Sequence, residues 1–266
     1  MRRTSPRAVL VCMSFLVAAW IASSAFGAGL LPSTRLVNLD AGLLIPEDEW
    51  LISADIRAMA GDDDNVYGNV RIGWGISSAW EVDALLALSD RQSFATGRTT
   101  LFYGGNDVEL RVKYRLCRHA RTAVAIESGW EFPDTPAQDD VHSFIQVPLS
   151  QALGRDVTGH VVPKWDFLSS NALFTIGLGL EARLSDHVHV LGDYTPMIDG
   201  DNTRNASGAL SHRDVWGAAI RWLPHGDEKF SIDVGATNGK GQTTDFGFAP
   251  GILDSSAFYA AFNWRP

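Results

Sequence analysis

The chain has 266 residues, of which 45% are hydrophobic and 20% charged, and its formal net charge is −9. Its mean hydropathy is −0.02. This balance excludes intrinsic disorder and excludes a polytopic helical membrane protein, which needs several apolar runs of about 20 residues. A strongly acidic chain is also a poor match for nucleic acid.

Only the first 27 residues resemble an apolar run. Arg2, Arg3 and Arg7 precede an apolar stretch from Ala8 to Ile21, and small residues follow, ending Ser24-Ala25-Phe26-Gly27. This is the order of a secretory signal peptide, with cleavage after Gly27 or Ala25; the alternative is an N-terminal anchor helix. Removing residues 1–27 removes three arginines and no acid, so the net charge falls from −9 to −12. Cys12 lies inside this stretch and follows Val11, where a lipoprotein signal needs a small residue. Cys117 is then the one cysteine of the mature chain, which has no internal disulfide. Residues 28–48 are less regular and read as a periplasmic lead-in or an extra strand. Residues 49–266 show no linker and read as one domain.

From residue 49 onward the chain alternates with period two. In Val108-Glu109-Leu110-Arg111-Val112-Lys113-Tyr114-Arg115-Leu116, the apolar residues and Tyr114 share one face and the four charges share the other. A helix would scatter those charges; a strand segregates them. Trp50–Ala58, Trp80–Leu88 and Phe258–Arg265 repeat the pattern. The spacing predicts about twelve strands, near 49–59, 66–76, 80–89, 106–117, 121–132, 141–150, 156–165, 172–184, 187–196, 213–223, 229–238 and 256–265. Connections such as Ser77-Ser78-Ala79, Arg118-His119-Ala120 and Ser185-Asp186 are tight. Those at 90–105, 133–140, 197–212 and 239–255 are longer, and those at 60–65 and 166–171 are short for that side. Short and long mostly alternate, which puts tight turns at one end and long loops at the other.

Alternation alone does not say which face is inside. A soluble sandwich turns the apolar face inward; a membrane barrel turns it to lipid. A closed ring of twelve strands with an apolar interior would leave a void, so a soluble version needs two stacked sheets. Trp50, Trp74, Trp80, Trp130, Trp165, Trp222 and Trp264 fall near strand ends on the apolar face, as interfacial girdles do. The expected fold is therefore all-β: a single antiparallel up-and-down transmembrane β-barrel in the outer membrane of a Gram-negative bacterium, with the lipid bilayer as partner.

Several segments resemble a known family. Trp74-Gly75-Ile76-Ser77-Ser78-Ala79-Trp80-Glu81-Val82 resembles a hairpin common in bacterial outer-membrane barrels. Gly105-Asn106-Asp107-Val108-Glu109-Leu110-Arg111-Val112-Lys113-Tyr114-Arg115-Leu116 is similar to a strand of the MetA-pathway phenol degradation family. Gly179-Leu180-Glu181-Ala182-Arg183-Leu184-Ser185 resembles another of its hairpins, and Trp130-Glu131-Phe132-Pro133 stands where that family has an apolar strand ending at proline. The next residues, Asp134-Thr135, lack the glycine of the pattern. The resemblance implies an outer-membrane protein of porin or transport type and names no substrate.

With the polar face inward, the candidate lumen-lining residues are Arg57, Arg71, Glu81, Asp83, Glu109, Arg111, Lys113, Arg115, Glu127, Glu131, Glu181, Arg183, Asp193, Arg221 and Asp233, together with Asp55 and Arg265. Arg71 is placed to meet Glu81 or Asp83, and Arg111 or Lys113 to meet Glu127. Such residues either form ion-paired ladders that fill the barrel or line a narrow channel for small solutes. No single-sign ring marks ion selectivity. A lipid hydrolase needs a nucleophile beside a base. His142 and Ser143 are adjacent and so face opposite sides of a strand, and no serine is evident opposite His160 or His189. Asp62-Asp63-Asp64-Asn65 lacks the spacing of a calcium loop, Gly239-Lys240-Gly241 is not a phosphate cradle, and the histidines lack metal spacing. The sequence thus points to no catalytic residue, no metal and no cofactor.

Overall fold

The computed structural model describes residues 30–31, 33–60, 66–89, 107–133, 141–167, 172–204, 210–226, 229–239, 241 and 256–266. The strands are β1 (Trp50–Met59), β2 (Val66–Gly75), β3 (Trp80–Ser89), β4 (Asp107–Arg118) and β5 (Thr122–Pro133). β6 comprises two segments, His142–Gln146 and Leu149–Ala152, followed by β7 (Val157–Phe167) and β8 (Ala172–Ser185). β9 (Val188–Thr195) continues briefly as Met197–Asp199, and β10 (Val215–Trp222), β11 (Phe230–Thr237) and β12 (Ala257–Trp264) complete the series. Each pairs antiparallel with its sequence neighbours, and β12 pairs with β1, so the fourteen segments form a closed ring of twelve strands. A small ribbon, Thr203–Arg204 with Leu210–Ser211, lies in the β9–β10 connection.

The two segments of β6 are one strand. Gln146 faces Lys164 and Leu149 faces Val161 in the same register. Between them Pro148 has no N–H to give, so the ladder loses one donor. Its carbonyl still accepts from the Ala125 N–H at 3.0 Å.

Residues 76–79, 119–121, 153–156, 186–187 and 223–226 turn at one end of the barrel, where β1 also begins and β12 ends. Most of the connections at the other end lie outside the described residues, as do Asp62-Asp63-Asp64-Asn65 and Lys240 of the Gly-Lys-Gly segment. Leu110 is 47% exposed on the outer face, while Glu109 and Arg111 are 0% and 2% exposed inside. That assigns the apolar face outward and excludes the stacked-sheet alternative. Trp50 stacks on Trp74 with ring centroids 5.5 Å apart, and Trp80 lies 4.5 Å from Tyr114, both at the turn end. Trp165 and Phe174 make a similar pair, 4.7 Å apart, near the other end.

The segment before β1 neither adds a strand to the wall nor remains outside it. Its Arg35 and Asp40 form an isolated antiparallel bridge, and the Ala41 N–H donates to the Thr34 carbonyl at 2.8 Å. This makes a tight hairpin with Val37 and Asn38 at its tip, and the hairpin is inside the barrel. Its first limb starts at the turn end, where the Leu31 N–H donates to Thr158 Oγ1 at 3.0 Å. Its tip reaches Arg57, Asp193 and Thr237, toward the loop ends of β1, β9 and β11. Its second limb returns to the turn end and enters β1 through a turn in which Glu49 N–H donates to the Pro46 carbonyl at 3.1 Å and Asp48 takes φ 60°.

The physical reason lies in the sequence from Leu36 to Ile45. Leu36, Val37, Leu39, Ala41, Leu43, Leu44 and Ile45 are all buried and would present a long apolar strip to water if the segment hung outside. Inside, Leu36, Val37 and Leu39 pack in one buried cluster with Val162, Leu191, Ala219, Tyr259 and Ala261 of the wall. The wall makes room with glycine at inward positions. A Cβ at Gly177 or Gly179 would stand 2.3 Å from Leu39 Cδ2 or 2.2 Å from Leu36 Cδ1.

Candidate functional site

The candidate site is the barrel interior, built from two charged walls and the hairpin between them. Period-two alternation puts charged side chains on one face of each strand, and the register sets opposite signs across from each other. Glu81 faces Lys113, Asp83 faces Arg111, and Lys113 faces Glu127. On this wall Arg71 donates from Nε and Nη2 to Asp83 at 2.8 and 3.1 Å, and from Nη2 to Glu81 at 3.0 Å. Arg111 pairs with Glu109 through Nε and with Glu127 at 3.4 Å, and Lys113 lies 4.0 Å from Glu127.

The opposite wall repeats the device. Arg221 grips Asp233 with two bonds of 2.7 Å across β10 and β11. His189 Nδ1 lies 2.8 Å from Glu181, and Arg57 Nε donates to Asp55 at 3.1 Å. Glu131 and Asp193 are buried on the same inward face. Arg115 and Arg183 differ from the other candidates: both are half-buried near the turn end, and Arg183 meets Asp156 at 2.8 Å. Arg265, also at that end, lies 3.8 Å from Glu49.

The hairpin joins the two walls. Asp40 lies 3.0 Å from Arg111, 3.6 Å from Arg35 and 3.7 Å from Arg71, and accepts from Gln146 Nε2 at 3.0 Å. Asn38 donates through its backbone N–H and its Nδ2 to Asp193, both at 2.8 Å, and accepts from Arg57 Nη1 at 2.8 Å. Ser33 donates to Glu181 at 2.7 Å and accepts from Arg221. The Ile45 N–H donates to Glu81 at 2.6 Å, and Lys113 donates to the Leu43 carbonyl at 3.0 Å. These are buried, charge-assisted bonds; their worth lies in fixing one arrangement, because desolvation offsets much of the Coulomb gain.

Sequence reasoning missed every hairpin contribution: Ser33, Arg35, Asn38 and Asp40. The available signal was the apolar run 36–45 together with glycines at inward strand positions. It also missed the register of Ser150. Ser150 stands directly opposite His160, with Oγ and Nδ1 2.9 Å apart, which corrects the expectation that no serine aligns with His160. The register runs unbroken past Pro148. The Gly42 N–H donates to Ser150 Oγ at 2.7 Å, so the hydroxyl is held between the hairpin and the ring. Among the described residues His160 Nε2 has no hydrogen-bond partner, so no third group orients the ring from that side as a catalytic base requires.

No family model matches the sequence, and no characterised protein matches it in sequence. Solved structures do resemble its fold. The KdgM porin shares 6% identity over 80% of this chain and 98% of its own, with TM-score 0.57. The NanC porin shares 9% over 80% of this chain and 98% of its own, with TM-score 0.58. The COG4313 outer membrane channel from Pseudomonas putida F1 shares 11% over 84% of this chain and 97% of its own, with TM-score 0.54. At such identities the likeness speaks to the fold: the all-β barrel architecture of outer-membrane porins and channels.

Proposed function

We propose that this protein is an outer-membrane channel for small solutes whose resting lumen is occupied by its own residues 33–48. In this reading residues 1–27 direct export and are removed, and the barrel sits in the outer membrane of a Gram-negative bacterium. The observation that carries the reading is the segregation of the wall: apolar side chains outside, and a charged and hydrogen-bonding surface inside, against which a hairpin is packed among the described residues. The candidate lumen residues then act as the polar lining along which a solute moves once the hairpin is displaced. The motifs around Asp107–Leu116 and Gly179–Ser185 support membership of the MetA-pathway phenol degradation family as part of the same proposal.

The contacts between hairpin and wall also favour a second reading, a structural barrel whose filled interior never conducts. One experiment separates the two. The hairpin tip touches the wall where Asn38 Nδ2 meets Thr237 Oγ1 at 3.1 Å. A chain with Asn38→Cys and Thr237→Cys, in a Cys117→Ser background, is inserted in planar bilayers. A channel gives current steps under reductant that vanish on oxidation; absence of steps in both states supports the structural barrel. No catalysis is part of the proposal. Ser150 and His160 are 0% and 2% exposed beneath the docked hairpin.

A further inference from the structure

At the turn end a recess of about 50 Å³ lies between the first limb of the hairpin and the wall from β9 through β12 to β2. Four guanidinium groups border it, but their N–H edges are already spent. Arg221 holds Asp233 through Nε and Nη2, and its outer edge meets Ser33 and the Arg35 carbonyl. Arg71 holds Asp83 and Glu81, and the Nη1 groups of Arg71 and Arg35 stand 3.7 and 3.6 Å from Asp40. Arg265 lies 3.8 Å from Glu49. The charged groups of the recess thus belong to the barrel's own ion pairs.

The uncharged groups are not spent. Ser53, Asn263 and Ser231 face one another in one transverse row across β1, β12 and β11, and this row lines the recess. Ser53 is 3% exposed, and among the described residues its hydroxyl has no hydrogen-bond partner. Asn263 gives its Nδ2 to Ser231 at 3.1 Å and to Asp233 at 3.4 Å, which leaves Oδ1 open as an acceptor. Ser231 accepts that bond, so its own proton is left to donate. His189, which also lines the recess, turns Nδ1 to Glu181 at 2.8 Å. The carboxylate fixes a proton on Nδ1, and Nε2 of the neutral ring is left as an acceptor. Leu51 and Leu223 complete the lining with apolar surface.

Such a set asks for a ligand whose own groups both donate and accept. A carboxylate only accepts and an ammonium only donates, whereas an alcohol hydroxyl does both. Neighbouring hydroxyls on a short carbon chain meet several of these edges at once, and the chain's C–H faces suit the leucines. The volume holds roughly four water-sized groups, which matches a chain of two or three carbons. Solvent reaches the recess, since the side chains of Arg35, Arg221 and Arg265 are 11%, 10% and 16% exposed.

We infer that this recess binds a small neutral polyol, with Ser53 and Ser231 donating to its oxygens and Asn263 Oδ1 and His189 Nε2 accepting from its hydroxyls. The site is assembled beside the docked hairpin, and its occupancy does not depend on conduction.

The test uses the full-length mature protein in deuterated detergent, with binding read by saturation-transfer NMR. Glycerol should give a saturable signal, at least fivefold stronger per mole than the saturable signal of propan-1-ol or of propionate. Asn263→Leu removes the acceptor and should reduce the glycerol signal at least fivefold while the barrel keeps its heat-modifiable gel migration. Ser53→Val, at a hydroxyl with no bond to lose, should reduce it several-fold and serves where the first variant fails to fold. A glycerol signal that does not saturate, an equal signal from propan-1-ol, or an undiminished signal in a folded variant would overturn the inference. Propionate binding more tightly than glycerol would overturn it too. The readout needs no bilayer, so its failure is distinguishable from failure of the channel reading.

Discussion

Asp40→Asn is the change that loosens the hairpin with least disturbance to the wall. The carboxylate sits among Arg111 at 3.0 Å, Arg35 at 3.6 Å and Arg71 at 3.7 Å, and is 5% exposed. At an effective dielectric of about 20, each such contact is worth roughly 4.5–5.5 kcal/mol before desolvation. Most of that is returned when the group is dehydrated, and breaking one partner of a buried ion pair costs about 3–5 kcal/mol net. Asparagine keeps an oxygen for Arg111 and Gln146, and Arg71 and Arg111 retain their wall carboxylates, so the low end, about 3 kcal/mol, applies. At 1.36 kcal/mol per factor of ten, the undocked fraction should rise by about two powers of ten. Single-channel recording reads this directly as open probability. Asp40→Glu, which restores the charge, should recover part of the wild-type closure. An open probability in Asp40→Asn indistinguishable from wild type, in a correctly folded barrel, would refute the idea that Asp40 pins the hairpin.

Gly179→Val should unseat the hairpin without touching a charge, because even a Cβ there stands 2.2 Å from Leu36 Cδ1; limited proteolysis of residues 33–48 should become faster. Arg221→Gln leaves Asp233 buried without its two 2.7 Å bonds, and should lower stability by about 3 kcal/mol, seen as a lower transition temperature in the heat-modifiable gel shift. Trp50→Ala with Trp74→Ala removes a stacked pair on the lipid side and should cost only about 1 kcal/mol beyond area, with conductance unchanged. Asp48→Gly relieves a φ of 60° in the turn that feeds β1 and should be neutral to stabilising by up to about 1 kcal/mol in the same gel assay.

The wall was legible because a strand has only two faces. Val108 to Leu116 sorts its charges from its apolar residues with period two, so the inward set followed once the ring was taken to close. Arg71 with Glu81 and Asp83, and Lys113 with Glu127, needed only hairpin register, which tight turns such as 76–79 fix. The hairpin was not legible in the same way. Leu36 to Ile45 follows no strand or helix period, because its residues are surrounded on all sides and every position is apolar or bonded. Gly177 and Gly179 carry no visible meaning alone, since a glycine in a strand also marks bulges and bends. The Ser150–His160 contact needed the register of β6 against β7 across the 153–156 turn, and the half-exposed Arg115 and Arg183 needed the position of the turns; alternation supplies neither.

The hairpin precedes β1, and the ring closes where β1 meets β12, the last of the ring's strands in chain order. A loop of chain that both leaves and rejoins the same rim cannot thread into a finished cylinder without passing its tip through a crowded interior. The simpler order of assembly has the staves wrap around an insert already in place, with the final seam sealing it in. On that order the hairpin is a template as much as a stopper. Sequence changes that weaken its grip should then surface first as slow or incomplete barrel closure during insertion, before any mature molecule is available to be opened.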